Sequence, residues 1–288
     1  MKRTIAARLL TGSVAVFVGF TATLAVARPA DAVTGWVTAS AVSEVSASSA
    51  RTYAAVYAYC PPGTLILGGG VDIPGGDGAV AVATARPDAR SGHRFYGFAY
   101  ERHNYPEAWS LRVWAVCGSG VTGHEIVTAR FPSTLGAAGG TATAVCPAGK
   151  RVIGAGGVVG KTPWYLDTIS VPTTLNRVQV EGFAAEDVPL PSDVAPTIIA
   201  DAVCIHPVAD QQLVTTTTAA SPSDKFALVG CPRGTRLHSA FGSISGAVGS
   251  AYLDSIIPSP TTTLVHAREV IGSPGPSWSL TASAICAR

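Results

Sequence analysis

Without its N-terminal segment, this sequence has no marked excess of positive or negative charge. The whole chain has 20 Lys and Arg against 18 Asp and Glu, a formal net charge of +2. Residues 1–32 hold four of the basic residues and one of the acidic ones, which leaves 16 against 17 and a net charge of −1. Nucleic-acid binding depends on a surplus of Lys and Arg. The composition therefore argues against a nucleic-acid partner.

Helical periodicity, a second long apolar run and closely paired metal ligands are also missing. No segment after residue 32 spaces its apolar residues as a helix does, which argues against a helical domain and a further membrane span. The six cysteines do not form close pairs, and the six histidines neither recur in register nor pair at ligand spacing. A metal centre usually needs such spacing, so the sequence predicts no metal and no cofactor.

The first 32 residues have the order of a secretion signal. A basic start is followed by an apolar stretch of 19 residues from Leu9 to Ala27, and small residues at 30–32 stand where a signal peptidase cleaves. We expect a signal peptide at 1–32, cleavage before Val33, and a secreted, extracellular protein. Because the apolar stretch is long for a signal peptide, an uncleaved membrane anchor is the alternative.

A threefold repeat organises the rest of the chain. Each copy opens with a Cys-Pro-x-Gly turn and closes with a second cysteine 55 to 58 residues later. The opening and closing cysteines are Cys60 and Cys117, Cys146 and Cys204, and Cys231 and Cys286. A period of this kind sets the architecture before single motifs are considered. It predicts three homologous units, at residues 33–124, 125–208 and 209–288.

Each unit has the composition of a small β-sheet. Short runs rich in Val, Ile, Thr and Ala are separated by Gly, Pro, Asn or Asp. Residues 177–181, Arg-Val-Gln-Val-Glu, alternate polar and apolar side chains as a strand with one solvent-facing side does. The Cys-Pro-x-Gly string suits a tight turn, since Pro presets φ at its second position and Gly is favoured at its fourth. We predict an all-β protein with four or five antiparallel strands in each unit.

Six cysteines in an exported chain predict three disulfides, and the repeat symmetry allows two pairing schemes. The first gives each unit its own crosslink from its first strand to its last, and for that reason it is the scheme we favour. Its pairs are Cys60–Cys117, Cys146–Cys204 and Cys231–Cys286. The second scheme joins neighbouring units instead. Its pairs are Cys117–Cys146, Cys204–Cys231 and a closing Cys60–Cys286.

The repeat motif resembles sequences of known proteins. The string Ala-Val-Cys-Pro-Ala-Gly-Lys-Arg-Val-Ile-Gly-Ala-Gly-Gly at 144–157, with Ala-Asp-Ala-Val-Cys at 200–204, resembles a repeat of exported actinobacterial proteins of unassigned activity. More loosely, the three Cys-Pro-x-Gly turns are similar to those of the vitelline membrane outer layer proteins, which implies a β-prism of three units around a pseudo-threefold axis. The spacing here is roughly twice theirs and their Asp-Asp-Thr-Ala segment is missing, so no activity is carried over. The alternative architecture is three small β-domains in tandem.

No catalytic motif is complete in this sequence. Residues 155–162 fall one residue short of a phosphate-binding loop, because Ala155 stands where that motif needs Gly and Pro163 opposes the helix that must follow. Residues 242–246 have the outline of a nucleophile elbow, but Ile244 holds the place of the serine. We therefore expect that the protein is not an enzyme.

Five residues are the candidates for ligand binding. Tyr165 and Asp167 in the second unit recur as Tyr252 and Asp254 in the third, so that each pair combines an aromatic face with a hydrogen-bond acceptor for sugar hydroxyls. Trp164, if exposed, adds a further ring on which a sugar can stack. A structural role for the repeated pairs, as turn caps or strand-end contacts, is the alternative.

Three similar units offer three similar surface sites, which favours multivalent binding over catalysis. The functional prediction is a non-catalytic protein that binds an extracellular or cell-envelope glycan. The second hypothesis is a structural protein of the envelope or matrix that self-associates and has no small ligand. A secreted hydrolase is the third hypothesis.

Overall fold

The computed structural model describes residues 32–45, 52–132, 134–160, 164–184, 193, 195–270 and 275–288. The predicted signal peptide lies outside this part of the chain, except for its last residue, 32.

The fold is all-β, as predicted, and its described part consists of eighteen strands. The strands of the first unit are β1 Thr34–Val45, β2 Tyr53–Tyr59, β3 Leu65–Asp72, β4 Val80–Pro87, β5 Arg94–Glu101 and β6 Trp109–Ser119. Those of the second are β7 Glu125–Arg130, β8 Gly139–Val145, β9 Arg151–Gly160, β10 Trp164–Ser170, β11 Arg177–Ala184 and β12 Thr197–Ile205. Those of the third are β13 Gln212–Thr217, β14 Lys225–Gly230, β15 Arg236–Ser245, β16 Ala251–Pro258, β17 Thr262–Glu269 and β18 Ser279–Ala287.

Each unit therefore has six strands, and the prediction of four or five was wrong. The strand that sequence patterning misses is the first one of a unit, such as β7 in the second unit. It lies at the edge of its sheet, and none of its six side chains is fully buried. A strand without a buried face lacks the alternation by which strands are recognised.

The strands form three six-stranded antiparallel sheets, each shared by two units. Sheet I has the order β1-β6-β3-β16-β17-β14, sheet II the order β2-β5-β4-β9-β12-β7, and sheet III the order β13-β18-β15-β10-β11-β8. In every sheet, three strands of one unit pair with three strands of another, and the two central strands come from different units. This is the prism-like arrangement of three similar units. The alternative of three tandem domains is wrong, because no unit completes a sheet by itself.

The glycine-rich segments lie where the central strands β3, β9 and β15 approach one another. A Cβ on Gly68 would lie 2.5 Å from the carbonyl oxygen of His238, and a Cβ on Gly154 would overlap the carbonyl oxygen of Leu67. Only a residue without a side chain allows strands to come this close. The string that resembles a phosphate-binding loop thus includes most of a buried strand, β9, and its glycines serve packing.

The disulfides are Cys60–Cys117, Cys146–Cys204 and Cys231–Cys286, the pairs of the first scheme, each with a Cα–Cα distance of 5.7 Å. Each bond joins the residue after the second strand of a unit to the sixth strand, rather than the first strand to the last as expected. Because the second and sixth strands belong to different sheets, every disulfide ties two sheets together. Each closed loop is worth about 4 kcal/mol in the chain-entropy account.

Candidate ligand-binding site

The five residues selected from the sequence are all buried, with exposed fractions of 5% or less. They are Trp164, Tyr165, Asp167, Tyr252 and Asp254. Trp164 does not meet the condition for a stacking surface: its side chain is fully buried, and its indole nitrogen donates to the carbonyl oxygen of Ala137 at 3.0 Å. A fully buried ring has no surface left on which a sugar can stack.

Tyr165 and Tyr252 come together, with ring centroids 5.2 Å apart. The guanidinium of Arg102 lies 5.0 Å from the first ring and 5.1 Å from the second, and it donates a hydrogen bond to the Tyr165 hydroxyl at 2.9 Å. Tyr252 donates to the carbonyl oxygen of Gly78 at 2.8 Å, and burial raises its pKa. These contacts join residues of all three units, so the repeated tyrosines hold the prism together.

Asp167 and Asp254 occupy equivalent bulge positions in different sheets, and their surroundings are electrostatically opposite. The carboxylate of Asp254 lies 3.1 Å from Nδ1 of His266 and 3.5 Å from Nε of Arg268. In the second unit Glu181 stands at the position of His266. Burial raises the pKa of Asp167 to about 7, and the charge of Glu181 adds to this shift. The two aspartates share a register but do not form a common site.

An exposed aromatic surface lies elsewhere, on the outer side of sheet II. Strand β2 alternates inward Ala and Val with outward side chains, among them Tyr53, Tyr57 and Tyr59. Tyr57 stacks on Tyr96 of the neighbouring strand β5, with ring centroids 4.6 Å apart. The Arg94 guanidinium lies 4.1 Å from the centroid of the Tyr57 ring. Aromatic and cationic side chains are thus combined on one accessible face.

A buried ion pair continues this surface across the sheet. Arg86, which pairs with Tyr96 in the ladder, extends over Gly156 to Asp201 two strands away. Its Nε lies 2.8 Å from one carboxylate oxygen of Asp201, and its Nη2 donates to the other at 2.9 Å. A Cβ on Gly156 would lie 2.6 Å from the Cα of Arg86. Glycine at this position therefore leaves room for the Arg86 side chain to reach Asp201. Thr128 on the edge strand donates to the same carboxylate at 2.6 Å.

These side chains enclose a cleft of about 420 Å³, which we call the Tyr–Arg cleft. Its lining residues are Tyr57, Arg86, Asp88, Ala89, Arg90, Arg94, Tyr96, Thr128 and Arg130. One wall is the turn after β4, which is fixed because Asp88 accepts the backbone N–H of Arg90 and forms an ion pair with Arg94. Burial opposes the charged form of Asp88, but these bonds and the charge of Arg94 hold its pKa below the usual value.

The Tyr–Arg cleft has no counterpart at the equivalent positions of the other two sheets. The positions of Tyr57, Tyr96 and Arg86 are occupied by Thr143, Gln179 and Ser170 in sheet III, and by Leu228, Leu264 and Ile257 in sheet I. At these positions one outer surface is therefore aromatic and cationic, one polar and one apolar. The three units do not offer three similar sites here, because these outward-facing residues differ between the units.

Sequence reasoning missed this cleft although a signal for it was present. Residues 53–59, Tyr-Ala-Ala-Val-Tyr-Ala-Tyr, alternate tyrosine with small residues on a predicted strand, which places the rings on one side. The residues predicted from the sequence were mostly ones that recur between units. Such residues face the shared core, whereas this site is formed by residues that differ.

A second, smaller cleft of about 390 Å³ lies near the N-terminal strand and is lined in part by Trp36 and Arg236. The Trp36 indole donates to the carbonyl oxygen of Leu237 at 2.7 Å, and the guanidinium of Arg236 lies 5.2 Å from its ring. One aromatic ring with its polar edge already bonded offers less to a ligand than the stacked tyrosines do.

In the described ranges, no group of three or more His, Cys, Asp or Glu side chains is placed to hold a metal ion. Helices long and apolar enough to cross a membrane are likewise not found in the described segments. No protein-family model matches this chain, and no curated protein matches it.

Proposed function

We propose that this is a secreted, non-catalytic protein that binds an extracellular or cell-envelope glycan in the Tyr–Arg cleft. The observation that carries the proposal is the stacked pair Tyr57 and Tyr96, which lies in a surface cleft and has no equivalent in the other two sheets. Aromatic faces bury the C–H side of a sugar ring while their hydroxyls stay in water.

The polar lining supports the same class of ligand. Sugar hydroxyls both donate and accept hydrogen bonds, and sites for small ligands place a few fixed polar groups among apolar ones. Arg86 and Arg94 are held in position by Asp201 and Asp88, so little conformational freedom is lost when they donate to a ligand.

A binding role agrees better with this cleft than hydrolysis does. Glycoside hydrolysis generally uses one carboxylic acid as proton donor and a second carboxylate as base or nucleophile. Here Asp88 is occupied by Arg94 and a backbone amide, and Asp201 lies fully buried beneath Arg86. Neither group is arranged as a free acid facing a bound sugar.

Secretion is supported by the signal-like segment at 1–32 and by the disulfides. Three disulfides and no free cysteine in the described chain are typical of proteins from oxidising compartments. Glycans of the envelope or of the extracellular matrix are the ligands available there.

The test is binding of the secreted, oxidised protein to a glycan panel that includes bacterial wall polysaccharides, followed by titration calorimetry. We expect Tyr57→Ala and Tyr96→Ala each to weaken saturable binding about ten-fold or more, since each removes a stacking face. Leu228→Ala, at the position of Tyr57 in sheet I, is the matched control and leaves binding unchanged.

Two results contradict the proposal. Binding that survives both tyrosine variants but is lost in Trp36→Ala moves the site to the second cleft. A panel without any saturable ligand, together with self-association in sedimentation experiments, favours a structural role in the envelope.

A further inference from the structure

We infer that the sugar unit held in the Tyr–Arg cleft carries an anionic group, a carboxylate or a phosphate, which is bound between Arg90 and Arg130. This inference rests on the proposed function and adds to it the chemical class of the ligand. It starts from the charges that line the cleft.

The charges of the cleft do not balance. Four guanidinium groups line it, and two of them are paired: Arg86 with Asp201 and Arg94 with Asp88. Arg90 and Arg130 have no carboxylate of the described chain within ion-pair distance. Among the described residues, the cleft is left with two positive charges that have no ion-pair partner, in a protein whose net charge without residues 1–32 is −1. The local surplus is therefore a property of this site.

The two unpaired arginines stand on different elements that border the same cleft. Arg90 belongs to the turn after β4, whose backbone is fixed by Asp88. Arg130 ends the edge strand β7, two residues from Thr128, which holds Asp201. Both side chains are exposed, so their donors are free to meet a ligand in the cleft.

Guanidinium groups match planar oxyanions better than ammonium groups do, because their parallel N–H donors fit two oxygens at once. All four cations of the cleft are arginine. A sugar that stacks on Tyr57 and Tyr96 therefore has its substituents within a ring of guanidinium donors. A carboxylate or phosphate substituent uses that ring, whereas a neutral hydroxymethyl group leaves two cations without a partner.

The experiment compares two matched pairs of probes by titration calorimetry with the oxidised protein. One pair is galacturonate oligomers and their methyl esters, and the other is phosphorylated glucose oligomers and their unphosphorylated parents. Each pair keeps the stacking rings and differs in the presence of the charged group. We expect an acidic member to bind about ten-fold more tightly than its neutral parent, with a preference that decreases at high salt. The pair that shows this preference identifies the anion.

Variants of Arg90 and Arg130 test whether these residues cause the preference for the acidic probes. Arg90→Gln and Arg130→Gln together remove the acidic preference, so that the acidic and neutral members of a pair bind with equal affinity. Arg177→Gln, at the position of Arg94 in sheet III, removes one arginine charge outside the cleft and leaves the acidic preference in place. A preference that persists in the double variant overturns the inference.

Failure of this inference is distinguishable from failure of the proposed function. Equal affinity for acidic and neutral oligomers, with loss of both in Tyr57→Ala, overturns the anionic subsite and leaves glycan binding in place. No binding of any of the four probes, combined with a blank glycan panel, overturns both.

Discussion

His238 occupies in the third unit the bulge position that Leu67 occupies in the first. Both side chains are fully buried beside the pseudo-threefold axis. Nδ1 of His238 lies 2.9 Å from the carbonyl oxygen of Arg236, while Nε2 has no hydrogen-bond partner in the described structure. A histidine thus stands at a position where the same fold accepts an aliphatic residue.

We expect His238→Leu to stabilise the protein by about 1–3 kcal/mol, since it removes a buried donor or acceptor without a partner. Burial lowers the pKa of His238 to about 4, so between about pH 6.5 and 4 the unfolded chain binds more protons than the folded one. Stability is lost as the pH falls through this window, and the variant loses less. Thermal melts at pH 5 and pH 7.5 measure both effects, with exposed His103→Gln as control. A Tm that is unchanged or lower at both pH values contradicts the prediction.

Replacing each aspartate of the repeated Tyr-Leu-Asp motif by Asn should change the stability of the protein in opposite directions. The folded pKa of Asp167, raised to about 7 by burial and Glu181, lies above its unfolded value. Its contribution to stability is therefore present at low pH and lost as the pH rises through 7. Asp167→Asn removes this loss and should stabilise the protein above pH 7 by at most about 4 kcal/mol.

Asp254→Asn should instead destabilise the protein near neutral pH by about 1–3 kcal/mol, because it breaks the contacts with His266 and Arg268. Denaturant unfolding of both variants at pH 5 and pH 8 tests the pair. If both variants change stability in the same direction at pH 8, the electrostatic account of the two positions is incorrect.

The close approach of the central strands predicts a steep response to a single methyl group. Gly154→Ala places a Cβ onto the carbonyl oxygen of Leu67 and should cost about 3 kcal/mol or more, visible as loss of folded protein or a much lower Tm. Gly230→Ala is the matched control, because a Cβ there has no atom nearer than 3.9 Å. Equal stability of the two variants contradicts this packing.

Removal of one disulfide should weaken the junction between two sheets. Replacement of both Cys60 and Cys117 by Ser should lower the free energy of unfolding by about 2–5 kcal/mol. The disulfide Cys231–Cys286 closes a loop of similar length, 55 against 57 residues, and its removal should have a similar effect. Denaturant titration gives the magnitude, and non-reducing peptide maps of the unmodified protein give the pairing; a peptide that joins Cys117 to Cys146 contradicts it.

Much of the fold was predictable because the sequence features that determine it recur in all three units. Cysteines, turn glycines and alternating apolar residues recur in each unit, and each unit meets the same packing problem. The first strands of the units were missed because edge strands such as β7 have no buried face to leave a pattern.

The Tyr–Arg cleft was harder to predict because it is formed by contacts between units. Arg86 and Asp201 are 115 residues apart in the sequence, and no local pattern connects them. They meet because β4 of the first unit pairs with β9 of the second, and Gly156 leaves space between them. Residues selected for their recurrence, such as Tyr165 and Tyr252, were buried for the same reason that they recur.

The sequence by itself determined the class of this protein: three β-units, antiparallel strands and a disulfide framework with two symmetric pairings. These properties depend on local propensity and on spacing along the chain, which can be read one unit at a time. Only the tertiary structure decided that units share sheets and that a single face carries the Tyr–Arg cleft. Strand exchange depends on which sheet edges meet in space, and surface chemistry depends on which side chains that pairing turns outward.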